Sequence, residues 1–156
     1  MGEKDPDVVG RFVERLGLLL AEGGVPRMPA RVFACLMASD EGRLTASELA
    51  NALRVSPAAV SGAVRYLMQV GLIAKARDPG ARRDHYTVSD NSWMEAFTNR
   101  DRLLENWMDA FSEGIDVLGI DSPAGRRLDT SRRFFAFVQK EMAELIQRWR
   151  EQEGIG

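Results

Sequence analysis

A chain of 156 residues has the length of one ordinary domain and can bury a core without disulfides or metal. Its 45% hydrophobic and 28% charged residues exclude a disordered or collagen-like chain. The net charge of −2 conceals an asymmetry, because residues 26–88 carry nine Lys/Arg against five Asp/Glu while the flanks are acidic.

No apolar run approaches the roughly 18 residues that a membrane span requires. The polar, acidic start Met1-Gly-Glu-Lys-Asp-Pro-Asp7 does not read as a signal peptide, so a cytoplasmic location is expected. One cysteine, Cys35, cannot form an internal bridge. With a single histidine beside it, a Cys/His zinc site within one chain is excluded, and neither metal nor cofactor is expected. A basic middle in an acidic frame fits a lobe that faces a polyanion; a solvated charge fluctuation fits the counts equally well. The pattern along the chain has to decide.

Val8, Val9, Phe12, Val13, Leu16, Leu19 and Leu20 recur at three- and four-residue steps and predict a helix that stops at Gly23-Gly24-Val25-Pro26. A second helix is predicted from about Pro29 to Ser39, apolar nearly all round and hence central, with Cys35 as a small buried hydrophobe. After the turn at Asp40-Glu41-Gly42, Thr45-Ala-Ser-Glu48 has the spacing of a capping box and opens a short helix ending near Arg54-Val55. Ser56 as N-cap and Pro57 at the first helical position open the next helix. That helix turns Val60, Val64, Leu67 and Met68 inward and ends at Gly71. Two helices joined by three residues, the second opening Ser-Pro, have helix-turn-helix spacing.

Residues 72–77 and 82–88 then read as two strands around the turn Asp78-Pro79-Gly80-Ala81, a hairpin or wing directly after the recognition helix. A long helix capped at Asp90-Asn91-Ser92 is predicted to turn Trp93, Phe97, Leu104, Trp107, Phe111, Ile115 and Leu118 inward. A last helix follows the break at Gly119 to Pro123, with Leu128, Phe134, Phe135, Val138, Met142, Leu145, Ile146 and Trp149 along one side. The predicted fold is mainly α: a winged helix-turn-helix at 26–88, an N-terminal dimerisation helix within 1–25 and a C-terminal helical dimerisation region at 89–156.

Several stretches resemble MarR-type winged-helix transcription regulators, nearest the GbsR-like branch. They are Gly24-Val-Pro-Arg-Met-Pro-Ala-Arg31, Leu44-Thr-Ala-Ser-Glu-Leu-Ala50, Ser56-Pro-Ala-Ala-Val-Ser-Gly-Ala-Val-Arg-Tyr-Leu67, Gly71-Leu-Ile73 and Arg82-Arg-Asp-His-Tyr86. Many members of that group carry an Asp just before the wing arginine, where this chain has Ala81. The resemblance implies a dimeric DNA-binding regulator, often controlled by a small hydrophobic effector between the dimer helices and the winged lobe. Phe12, Leu16, Met28, Trp93, Phe97 and Trp107 are the candidate lining; without the resemblance, these six read as ordinary core residues.

The chemistry expected of the lobe is groove entry by a blunt helix edge. Ser56 and the first-turn amides face phosphate; Ala58 and Ala59 touch thymine methyls. Ser61 hydrogen-bonds a base edge or phosphate, Gly62 admits close backbone approach, and Arg65 reaches a guanine edge or a phosphate. Arg82 and Arg83 at the hairpin tip follow the backbone or enter a minor groove, while His85 is a polar strand residue or a phosphate contact. The surplus of aromatics in the outer helices implies a homodimer and thus a palindromic operator in double-stranded DNA. The same short side chains suit a protein groove, so a protein-interaction scaffold is the alternative. No phosphate loop, nucleophile elbow or acid pair is recognisable, and an enzyme is not expected.

Overall fold

The computed structural model describes residues 3–156. These form two compact units, the first reaching Ser92 and the second beginning at Trp93.

In the first unit, α1 (Pro6–Glu22) opens on Asp5, whose side chain accepts the Asp7 amide at 3.0 Å. It buries Val13 and Gly17 and packs along α2 (Arg27–Met37), which starts two residues before Pro29. Gly17 eases that approach: a Cβ there would lie 3.3 Å from the Arg31 Cα, so the neighbour would have to give by a few tenths of an ångström. Arg31 locks the pair with a two-pronged contact to Glu14, Nη2 to Oε1 at 2.7 Å and Nε to Oε2 at 3.0 Å. Its Nη2 also donates to the Leu53 carbonyl at 3.0 Å, so one guanidinium ties three helices together. The helix expected to serve the subunit interface therefore also packs within the first unit, with Val8, Phe12, Leu18 and Leu19 left exposed.

The predicted central helix is central: Val32, Phe33 and Leu36 of α2 are fully buried, as are Leu49, Val60 and Leu67 from the helices around it. Cys35 is buried with them, and desolvation pushes its thiol above the usual range, the opposite of what a reactive thiolate requires. The capping box of α3 (Ala46–Leu53) closes in both directions, Glu48 N–H to Thr45 Oγ1 at 3.2 Å and Thr45 N–H to Glu48 Oε1 at 3.1 Å. It ends on Arg54 in the left-handed region, φ 55° and ψ 49°, a conformation that costs a residue with a Cβ about 1 kcal/mol. α4 (Pro57–Gln69) then starts as predicted, with the Ser56 hydroxyl accepting the Ala59 amide at 3.2 Å.

The sheet differs from expectation in two ways. A third strand, β1 (Arg43–Thr45), joins β2 (Ala74–Ala76) and β3 (His85–Thr87) in the antiparallel order β1-β3-β2. Arg43 stands opposite Thr87 and Thr45 opposite His85, and the Val88 amide donates to the Gly42 carbonyl at 2.8 Å. The two wing strands are also shorter than the alternating pattern suggested. Leu72 and Ile73 are buried in the core instead of alternating, and Arg82 and Arg83 lie in the loop.

Ion pairs hold that loop at its base. One step beyond the last strand pair, Arg77 Nε meets Asp84 Oδ1 at 2.8 Å, with Lys75 Nζ 3.9 Å from the other oxygen. From β1, Arg43 Nη2 reaches Asp78 Oδ2 at 2.7 Å. The Arg77 hydrogen bond holds the Asp84 carboxyl below the usual range and raises its own partner correspondingly.

The second unit holds α5 (Ser92–Leu118) and α6 (Pro123–Glu153), the latter capped by Ser122, which accepts the Gly125 amide at 2.9 Å. Phe135 of α6 meets Trp107 edge-on, centroids 5.4 Å apart, and stacks near Phe111 at 6.1 Å. The predicted inner face of α5 is only partly covered. Leu104, Phe111 and Ile115 are half-buried, whereas Trp93, Phe97, Trp107 and Leu118 are exposed. Along α6, Leu128, Phe135, Val138, Met142 and Ile146 are half-buried, while Phe134, Leu145 and Trp149 stay exposed. A pair of helices offers each member one contact stripe, and these sequences carry wider apolar faces than one stripe can hide.

Replacing Phe33, 1% exposed, by alanine is expected to cost about 3–5 kcal/mol in urea denaturation of the first unit. Because the folded Asp84 titrates low, its contribution is present above about pH 4 and lost as pH falls through its depressed value. Amide NMR signals of residues 77–85 should therefore shift together below the ordinary aspartate range. Asp84→Asn should give the acid-like pattern already at neutral pH.

Candidate nucleic-acid interface

Helix α4 divides cleanly. Val60, Ala63, Val64 and Leu67 are buried, and Ala58, Ser61, Gly62 and Arg65 form an exposed stripe at three- and four-residue spacing, with Ala59 half-buried beside it. Ser56 and Pro57 are exposed at its head. The Ser56 hydroxyl accepts the Ala59 amide, so its first job is capping. A Cβ built on Gly62 would meet nothing within 4 Å. Packing inside the chain therefore does not demand glycine there, although glycine costs a helix interior roughly 0.5–1 kcal/mol relative to alanine. The bare edge is a property of the outward surface.

The nine cations of residues 26–88 separate into two groups. Arg31, Arg43, Lys75 and Arg77 are paired with acids. Arg27, Arg54, Arg65, Arg82 and Arg83 have no ion-pair partner among the described residues, and all five are exposed. Three of these five are the arginines that the sequence pattern selected. The residue before the wing arginines is Ala81, and the acids of the wing, Asp78 and Asp84, pair with Arg43 and Arg77 at the loop base.

His85 stands in a strand, as one of its two expected settings had it. It is half-buried in β3, and its Nδ1 lies 3.2 Å from Arg43 Nη2. A guanidinium only donates, so Nδ1 accepts and the ring proton of the neutral form sits on Nε2. His85 thus belongs to the internal bonding of the wing through Arg43. Sequence reasoning missed Arg43, because its partners lie 35 and 42 residues away.

Two of the six candidate effector residues, Met28 and Phe97, each line a cavity within one unit. A cleft of about 510 Å³ in the first unit is lined by Glu14, Gly17, Leu18, Arg27, Met28 and Arg31; it includes Met28 but not Phe12 or Leu16. A cavity of about 170 Å³ in the second unit includes Phe97, with Asp101, Met142, Ile146 and Arg150, but not Trp93 or Trp107.

Comparison with known proteins agrees with this geometry. A MarR family model matches residues 23–84, the helix-turn-helix and most of the wing. A model of MmpR5-like MarR family transcriptional regulators matches residues 91–152, nearly all of α5 and α6. The HTH-type transcriptional regulator MmpR5 of Mycobacterium tuberculosis is 27% identical over 151 residues, covering 96% of this chain and 91% of its own length. A crystal structure of a transcriptional regulator superposes with a TM-score of 0.84 at 26% identity, over 92% of this chain and 99% of that one. With consecutive MarR models accounting for the winged lobe and for the helices beyond it, the chain is similar along most of its length to the MarR family of winged-helix transcriptional regulators, a non-enzymatic class.

Proposed function

We propose that the protein is a homodimeric, sequence-specific regulator that reads a palindromic operator with α4 in the major groove. The observation that carries this reading is the outward stripe Ala58, Ser61, Gly62 and Arg65, exposed throughout, in which no contact among the described residues requires the glycine. A groove about 12 Å wide admits such a rod closely, and Arg65 at its far end has an unpaired guanidinium to offer a guanine edge or a phosphate. The stripe is poor in long polar readers, so backbone contacts and duplex shape supply the remainder. Arg82 and Arg83, in a loop tied at its base, follow the adjacent backbone or minor groove. His85 supports them through Arg43 more than it contacts phosphate itself.

Support for the homodimer comes from apolar surface. Val8, Phe12, Leu18 and Leu19 of α1 and Trp107, Phe134, Phe137, Leu145 and Trp149 of the long helices are all exposed, Phe137 to 63%. Faces of this kind mark obligate interfaces. A twofold pair then sets its recognition helices about 34 Å apart, one duplex turn. The resemblance of residues 24–88 supports placing the winged lobe near the GbsR-like branch, while the helices beyond match an MmpR5-like model. A small hydrophobic effector enters at the cleft beside Met28 or the cavity beside Phe97. It acts only if it binds the DNA-competent and incompetent forms with different affinity. A regulator of this kind works in the cytoplasm, and among the described residues no helix is long and apolar enough to cross a membrane.

Selection of bound fragments from genomic DNA tests the reading, followed by titration of the best fragment. Arg65→Ala is expected to weaken binding by about 1–3 kcal/mol and relax preference at one position. Gly62→Ala should raise stability by roughly 0.5–1 kcal/mol and yet weaken binding, since the added methyl faces the groove. A sedimentation analysis should give a dimer. Failure to retain any duplex at low salt, with the dimer intact, overturns the DNA reading in favour of a protein-interaction role.

A further inference from the structure

The helix-turn-helix closes on three residues, 54–56, and the first of them is out of place. Arg54 caps α3 in the left-handed region, its amide donating to the Ala50 carbonyl. Every other positive-φ position among the described residues is a glycine, including Gly71, one residue past the Val70 cap of α4, and Gly154, the cap of α6. Glycine adopts this conformation without the steric conflict that a Cβ brings. At the one turn that leads into the recognition helix, the chain keeps a long cation instead.

No contact among the described residues accounts for that choice. Arg54 is exposed and has no ion-pair partner among the described residues, and only its backbone takes part in the turn. The residue stands two positions before Ser56, so its Cα lies within about 7 Å of the head of the exposed stripe. Arg65 stands at the other end of that stripe. A strained residue that persists without an internal contact points to an external one. We propose that Arg54 is a phosphate clamp: its guanidinium binds a backbone phosphate of duplex DNA at the groove edge beside the α4 N-terminus and reads no base. This inference rests on the DNA-binding reading above and adds to it a contact that orients the entering helix.

The design of the test follows from the strain. Arg54→Gly removes the charge while easing the turn, so its unfolding midpoint should be unchanged or raised; Arg54→Asn, which also tolerates this conformation, guards against added chain flexibility. Each protein is titrated with mixed-sequence duplex DNA over a range of salt. The log–log salt slope of both variants should fall by about 0.9 for each subunit bound, and Arg54→Lys should keep the wild-type slope. Binding should weaken equally on all sequences. If Arg65→Ala weakens binding but both uncharged Arg54 variants keep the wild-type slope, the clamp is wrong and the DNA reading stands. A lowered unfolding midpoint in both variants also overturns the clamp, because the side chain would then be holding the turn. If the wild type itself binds no duplex, the DNA reading fails and the clamp fails with it.

Discussion

The structure turns on a division of labour within one helix. Val60, Ala63, Val64 and Leu67 anchor α4 against the first unit's core, beside the fully buried Phe33 and Leu36 of α2. Burial of four apolar side chains fixes the rotation of the helix about its own axis, since a turn away from it exposes part of that apolar face and, in one direction, drives Ser61 and Arg65 toward an apolar core. Once that rotation is set, the outward edge follows from the spacing. The Ser56 cap and Pro57 fix where the helix begins, and Arg31, bonded to Glu14 and to the Leu53 carbonyl, holds the neighbouring helices in register. The presented edge is as rigid as the core behind it.

Charge follows the same logic of separation. Four cations of the lobe are taken up by acids within the protein, and they sit where elements must be joined: α1 to α2, β1 to the wing loop, and one wing strand to the other. Exposed pairs of this kind contribute little stability one by one. Their effect is geometric, because they close the loop base, while Arg82 and Arg83 stay exposed with no ion-pair partner among the described residues.

The second unit shows what a single chain leaves unfinished. Phe135 gathers Trp107, Phe111 and Phe134 around it, but Leu103, Val117 and Phe137 remain in water. The width of these faces was readable from the sequence as an excess of aromatics. Which of them close on each other within one chain was not, because periodicity gives a face and says nothing about what covers it.

Sequence alone determined the helices, their caps and the turned-out edge of α4. Those are local matters, set by the 3.6-residue repeat, by Thr45-Ala-Ser-Glu48 and by Ser56-Pro57 within a few positions of the residues they govern. Tertiary structure decided the third strand, the ends of the wing and the fate of each cation. Strand β1 is three residues long and borrows its pairing from β3, some forty positions away, so no alternation could announce it. Leu72 and Ile73 left the strand pattern because the core took both side chains. Arg43 and Arg82 look alike in the chain, and only the approach of Asp78 and His85 to the first of them separates a structural cation from one left exposed without an ion-pair partner among the described residues. Local order is written in spacing; the assignment of charge depends on contacts that exist only after the chain has closed.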